Sequence, residues 1–225
     1  MSIVLILPAS SSFLSPLSNF KPPNPNPKIP KPYRITTTCS AITDKSQPLN
    51  LAKSDLLNLI SDQDRGLKTQ QNPNKLSQIV KSIEAIAELG KDLVTTNKSL
   101  SATWRLLWTT EKEQLFIIKN ASFFGTQAGD VLQVIDVENR SLNNVITFPP
   151  DGVFFVRSTI EIASSQRVNF RFTSAVLRGK DWELSLPPFG QGWFETLYLD
   201  DEIRVVKDIR EDYLVVERAP YNWKE

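Results

Sequence analysis

Histidine is absent from this chain of 225 residues, and cysteine occurs once, as Cys39. A Ser-His-Asp triad, a Cys-His dyad and a Cys/His zinc site are therefore excluded. A disulfide within the chain is excluded too, so oxidising secretion is not implied. No apolar run approaches the ~18 residues that a spanning helix needs, so any membrane association is expected to be peripheral. Acidic residues are missing before Asp44. Net charge is +1, from 26 basic and 25 acidic residues. Four of the basic residues (Lys21, Lys28, Lys31 and Arg34) precede Asp44, which leaves 22 against 25 and a net −3 for the remainder. That balance gives no support to a nucleic-acid partner.

Residues 1–43 are instead rich in Ser and Thr, and eight of the fifteen prolines lie between Pro8 and Pro32. The apolar run from Ile3 to Leu7 is short and has no basic stretch before it, unlike a secretory signal. Acid-poor, hydroxylated and mildly basic sequence predicts an organellar transit peptide over residues 1–43, with cleavage near Cys39-Ser40-Ala41. It is not an Arg-rich amphipathic helix, which favours chloroplast over mitochondrion. The plainer alternative is a disordered Pro-rich tail.

Two amphipathic helices are expected next. Leu49, Leu56, Leu57, Leu59 and Ile60 cluster ahead of a polar turn in which Gly66 is suited to a positive φ. Asn72-Pro73-Asn74 opens the second helix, with Asn74 as the expected N-cap. Leu76, Ile79, Val80, Ile83, Ile86 and Ala87 follow at helical spacing, and Gly90 ends the run. Such helices pack on their own domain or, alternatively, on a membrane surface; the second option is weakened because Lys75, Lys81 and Lys91 are offset by Glu84, Glu88 and Asp92.

From residue 102 the pattern changes to period two. In residues 151–177, Phe154, Val156, Ser158, Ile160 and Ile162 share one face of a strand, and Arg157, Thr159 and Glu161 the other. After Ser164-Ser165-Gln166, the residues Val168, Phe170, Phe172, Ser174 and Val176 again share a face. Two long alternating runs joined by a polar turn form a β-hairpin with one buried face. Further strands are expected at 104–110, with Trp104, Leu106 and Trp108 on one face, and at 130–137, 143–148, 182–186, 193–199, 203–206 and 213–218. Residues 115–118 lack alternation and read as a short helix or lid. Eight or nine antiparallel strands suit a closed barrel, and eight is about the number that encloses one small ligand or is filled by its own side chains.

Three motifs converge on a known group: Asp64-Arg65-Gly66-Leu67 after a helix, Trp104-Arg105-Leu106-Leu107-Trp108-Thr109-Thr110, and Gly192-Trp193-Phe194 leading into Tyr198-Leu199-Asp200-Asp201-Glu202-Ile203-Arg204. The chain from about residue 50 to 225 resembles the plastid lipid-associated proteins, or plant fibrillins. The resemblance implies a mainly β fold: a lipocalin-like antiparallel β-barrel of about eight strands, preceded by two α-helices. The corresponding division is 1–43 transit peptide and 44–225 fibrillin domain, with a helical part at 48–90 and the barrel at 102–218. It further implies a chloroplast location at thylakoids or plastoglobules, and apolar partners such as a prenylquinone, a carotenoid or an acyl lipid. Lipocalins keep a tryptophan at the closed end of the first strand beneath an arginine from near the last, and Trp104 and Arg218 resemble that barrel-closing pair.

The expected ligand-binding set is the alternating one: Phe154, Val156, Ser158, Ile160, Ile162, Val168, Phe170, Phe172, Ser174 and Val176. These side chains either line a cavity or fill it, and Ser158 and Ser174 leave room and a hydroxyl among large neighbours. Apolar residues at 115–124 and 187–193 (Phe116, Phe123, Phe124, Phe189 and Trp193) are expected at a barrel mouth, on a lipid-contacting surface, or packed on the helices. The acid-rich turns at 200–202 and 208–212 read as solvated loops without calcium spacing. No catalytic residue, metal ligand or cofactor is expected. The leading expectation is a non-enzymatic lipid-binding or lipid-chaperoning protein. A coat protein with a solid barrel is the alternative, and buried ionisable groups in an open cavity would instead favour an enzyme.

Overall fold

Alternation of apolar and polar residues over eight to twelve positions commits the second half of the chain to strands, and the structure pairs every one of them antiparallel. The computed structural model describes residues 46–225 except 125, 188 and 189, and leaves aside the side chains of 46, 123 and 124. The transit-peptide expectation over residues 1–43, including Cys39, falls outside the described residues. Two helices come first, α1 (Ser46–Ile60) and α2 (Pro73–Gly90). The strands are β1 (Ala102–Thr109), β2 (Val131–Asp136), β3 (Ser141–Phe148), β4 (Gly152–Ile162), β5 (Arg167–Arg178), β6 (Glu183–Leu186), β7 (Gln191–Leu199), β8 (Ile203–Asp208) and β9 (Tyr213–Arg218). A third helix, α3 (Lys112–Asn120), lies between β1 and β2, where a short helix or lid is expected.

The sheet order is β4-β3-β2-β1-β9-β8-β7-β5-β6, and β5 also pairs with β4, so eight strands close into a ring. β5 manages this by its length. One edge runs along β4, while the other is shared by β7 at Arg167–Arg171 and β6 at Ala175–Arg178. Closure leaves β6 as a short outer flap and removes most free strand edges.

Three register shifts alter what alternation predicts. The first lies in β1 between Leu106 and Trp108. It keeps Trp104 and Leu106 inside the ring and sends Trp108 to the outer face, among Leu56, Ile79 and Ile83 of the helices. The expectation that all three share one face is thus corrected: an extra residue in one strand inverts the parity beyond it. The second shift lies in the β4–β5 hairpin, where Ser158 pairs with Phe172 but Arg157 pairs with Ser174. The third lies in β7 between Thr196 and Tyr198.

The N-cap of α2 is also corrected. Asn72, not Asn74, accepts from the Lys75 N–H at 3.0 Å. Pro73 fills the first helical position, where its missing N–H costs nothing and its fixed φ suits the helix, so the cap precedes it. α1 and α2 then cover the outer faces of β7, β8, β9 and Trp108 with a second core. Lys53 of α1 ties them down by bonding Asp200 at 2.6 Å in the β7–β8 turn. Asp200 also accepts from the Tyr198 hydroxyl at 2.8 Å and the Ile203 N–H at 2.7 Å, so this acid-rich turn is an anchor rather than a solvated loop.

Candidate functional site

Inside the ring, residues of all eight ring strands and α3 enclose a cavity of about 260 Å³. Its wall is apolar: Leu106, Val131, Leu142, Ile146, Val206 and Leu214 line it, together with aromatic rings from the central hairpin. The volume lies just under the ~300 Å³ at which small-molecule sites usually begin.

Four members of the expected ligand-binding set line this space: Phe154, Val156, Phe170 and Phe172. Ile160 and Val168 are buried in the same interior core without lining the cavity. Ser158 is buried with its hydroxyl unpartnered among the described residues. Ile162 pairs with Val168 at the end of the hairpin and is 43 % exposed. Ser174 and Val176 do not face the interior. The β4–β5 register shift turns them outward, where Ser174 accepts from Arg157 Nη1 at 2.9 Å and Val176 packs with Phe155. Their places inside are taken by Ala175 and Leu177, the partners of Val156 and Phe154.

Trp104 and Arg218 meet at one end of the ring. Trp104 is fully buried there, and its Nε1 donates to the Leu100 carbonyl at 2.9 Å. The Arg218 guanidinium stands 4.6 Å from the indole centroid and bonds the carbonyls of Asp201 at 3.0 Å and Ser99 at 3.1 Å. The contact expected of Trp104 and Arg218 is present. Sequence reasoning missed a second arginine. Arg204, also fully buried, lies 5.6 Å from the Trp104 centroid and 5.3 Å from that of Phe194. It donates from Nη2 to Gln133 Oε1, and Gln133 in turn donates to Asn144 Oδ1 at 3.0 Å. The available signal was a charge inside the run Ile203-Arg204-Val205-Val206, at the inward parity of β8.

α3 lies over the opposite end. Its Leu115 and Ile118 are buried in the interior core, while Glu111, Glu113 and Gln114 rim the cavity opposite Asp208 and Arg210. Arg210 Nη1 bonds Glu113 Oε1 at 2.8 Å and links the lid to the β8–β9 turn. Burial, and then the charges of Asp208 and Asp212, push the Glu111 carboxyl up to about 8, against a smaller lowering by its Gln114 hydrogen bond. Phe116 of α3 is 67 % exposed, and Trp193 stacks under Arg167 at 4.0 Å. The side chains of Phe123 and Phe124, and all of Phe189, fall outside the described residues.

The unfolded Glu111 carboxyl loses its proton near its ordinary value of 4.5, while the folded one keeps it to about 8. Stability from this group is complete below the lower value and is lost as pH rises through the upper one. Glu111→Gln is expected to leave stability unchanged near pH 4 and to raise it above pH 8 by ~2–4 kcal/mol, discounted for solvent at the rim. Urea denaturation at both pH values measures the gap; equal gaps would contradict the assignment.

None of the cavity-lining residues is a serine, threonine, cysteine, lysine, tyrosine or histidine. Among the described residues no cluster of His, Cys, Asp and Glu could hold a metal ion, and no helix is long and apolar enough to cross a membrane.

The chain thus forms an eight-strand ring with an apolar interior, Trp104 and Arg218 in contact at one end and two helices on its outer face. The PAP_fibrillin family model matches residues 50–217. The chain belongs to the fibrillin family. It is 68 % identical over 189 residues, 84 % of this chain and 88 % of the relative, to a protein of Arabidopsis thaliana named probable plastid-lipid-associated protein 11, chloroplastic. No solved structure matches it. The matched span takes in α1 from its fifth residue and reaches the penultimate residue of β9, so helices and ring together form the fibrillin unit.

Proposed function

We propose that this fibrillin is a non-enzymatic lipid-binding or lipid-chaperoning protein of the chloroplast, holding an apolar lipid within the ring at a thylakoid or plastoglobule surface. The observation that carries the reading is the apolar cavity of about 260 Å³, open at a rim rather than filled. Burying lipid surface there yields roughly 25 cal/mol per Å². The lipid-associated and chloroplastic name of the Arabidopsis relative supports the compartment, as does the acid-free start of this chain. Residues 1–43 are the transit peptide in this reading. Glu111 and Asp208 give the rim ionisable groups, yet the cavity wall offers no hydroxyl, thiol or amine for covalent chemistry, which favours carriage over catalysis. A prenylquinone, a carotenoid and an acyl lipid are the partners considered, and the small volume favours a single chain.

A coat protein without ligand is the second reading. It is favoured by apolar residues on the outside: Phe116 on the lid, and Trp182 and Leu184 at the flap, 55 % and 51 % exposed. One preparation separates the two. Protein purified from chloroplasts is expected to begin near residue 44 by N-terminal sequencing and to carry an apolar lipid by mass spectrometry. Val156→Phe, which projects into the cavity, is expected to lose most of that lipid while keeping its melting temperature within about 2 °C. Ser174→Phe, on the outer face, is expected to retain it. Lipid-free parent protein, with a stability loss of ~1–3 kcal/mol in Val156→Phe, would mean a solid ring and give preference to the coat.

A further inference from the structure

We propose that Arg204 is the anchor for the carboxylate of an acid-headed lipid, so that the ring takes a fatty-acid-like amphiphile head first, with its chain leading towards the α3 rim. The inference rests on the lipid-binding reading above and deepens it by naming the head group.

Arg204 is 0 % exposed and points into the ring, between Trp104 and Phe194. A buried charge is ordinarily paired with an opposite one, because desolvating it alone is costly. None of the ion pairs among the described residues includes Arg204. Its guanidinium has five N–H donors, and a single neutral acceptor, Gln133 Oε1, is bonded to it. Nε and Nη1 are buried with no partner among the described residues. Arg218, by contrast, satisfies itself on two carbonyls at the edge of the same floor. Arg218 is thus accounted for by its carbonyl partners, whereas Arg204 is not.

Arg204 does not itself line the cavity; its guanidinium lies directly behind three residues that do. These residues, Gln133, Trp104 and Phe194, surround the guanidinium. Gln133 is steered by Asn144, a second cavity-lining amide, and fills the acceptor position that an anionic oxygen would take. An oxygen pair displacing that amide would form the charge-assisted, two-pronged contact for which a guanidinium is shaped. Charge decides between anions. One arginine is neutralised by a carboxylate, whereas a phosphomonoester carries ~1.5–2 charges and would leave an excess buried. The acids at the rim, Glu111 and Asp208, stand at the other end of β1 and β8 and do not compensate Arg204. Burial pulls the guanidinium down to about 9, which still leaves it charged at neutral pH.

The test is titration calorimetry of the full chain with decanoic acid, 1-decanol and decyl phosphate. Wild-type protein is expected to bind the acid about tenfold or more tightly than the alcohol. Arg204→Met is expected to erase that preference while leaving the alcohol's affinity unchanged, and its packing is expected to hold the fold, since a buried unpaired charge is being replaced by an apolar chain of similar length. Gln133→Leu, which removes the neutral acceptor and keeps the arginine, is expected to widen the preference for acid; this variant keeps the test alive should Arg204→Met fail to fold. Equal affinities for acid and alcohol in the wild type, or a preference that survives Arg204→Met or shrinks in Gln133→Leu, would overturn the anchor while leaving lipid binding in place. Tighter binding of decyl phosphate than of the acid would overturn the carboxylate assignment. If none of the three binds, both the anchor and the lipid-binding reading fall.

Discussion

Gly66→Ala is expected to lower stability by more than ~3 kcal/mol and the melting temperature by roughly 10 °C. The turn after α1 carries three successive residues at positive φ, Asp64 at 47°, Arg65 at 56° and Gly66 at 112°. The first two lie near the left-handed region that L-residues tolerate at some cost, whereas 112° belongs to glycine. Space is as restrictive as backbone. A Cβ on Gly66 would stand 2.1 Å from the Thr109 carbonyl oxygen, a backbone atom at the end of β1 that also adjoins the lid. The turn cannot slide away from that contact. The Arg65 carbonyl accepts from the Thr109 N–H at 3.1 Å, and Arg65 Nη1 donates to the Gly129 carbonyl at 2.7 Å. One substitution would therefore loosen the clamp that joins the helical layer to the ring. Thermal denaturation followed by circular dichroism checks it; a loss under ~1 kcal/mol would mean that the turn relaxes freely and that the Asp64-Arg65-Gly66 clamp is not rigid.

Trp104→Ala is expected to cost ~3–5 kcal/mol, the range for removing a large buried aromatic. The indole is fully buried on the ring floor, bonded through Nε1 to Leu100, and stands beneath Arg218 and beside Arg204. Its removal would leave Arg218 without its aromatic face and Arg204 with Phe194 alone, each lost contact being worth ~0.5–2 kcal/mol according to burial. Trp104→Phe keeps a ring and loses the hydrogen bond, so about a third of the effect is expected. Urea denaturation of the two variants measures the order. A Phe variant as unstable as the Ala variant would assign the effect to the Leu100 hydrogen bond rather than to packing.

Most elements of this fibrillin are legible in its sequence. Period-two alternation placed the strands to within a few residues, because a strand with one wet face and one dry face must alternate. Helical spacing located α1 and α2, and the change in pattern at 115–118 located α3. Pairing Trp104 with Arg218 was readable as first strand against last, since closing a ring makes those strands neighbours.

What alternation cannot carry is an inserted residue. Trp108, Ser174 and Val176 obey the period in sequence and leave it in space, because register shifts in β1 and in the β4–β5 hairpin invert the parity beyond them. A bulge has no composition of its own at these positions; it is set by how neighbouring strands curve to close the ring. Tertiary structure also decided the site. Arg204 stands in the sequence as one charge within an apolar strand, and only closure of β5 onto β4 and of β1 onto β9 places it inside, away from water. The sequence by itself determined the absence of histidine chemistry and of disulfides, the kinds of element and their order. The ring's closure alone decided which faces are interior and buried Arg204 behind the wall of an apolar cavity, since burial belongs to the assembled sheet and not to any strand within it.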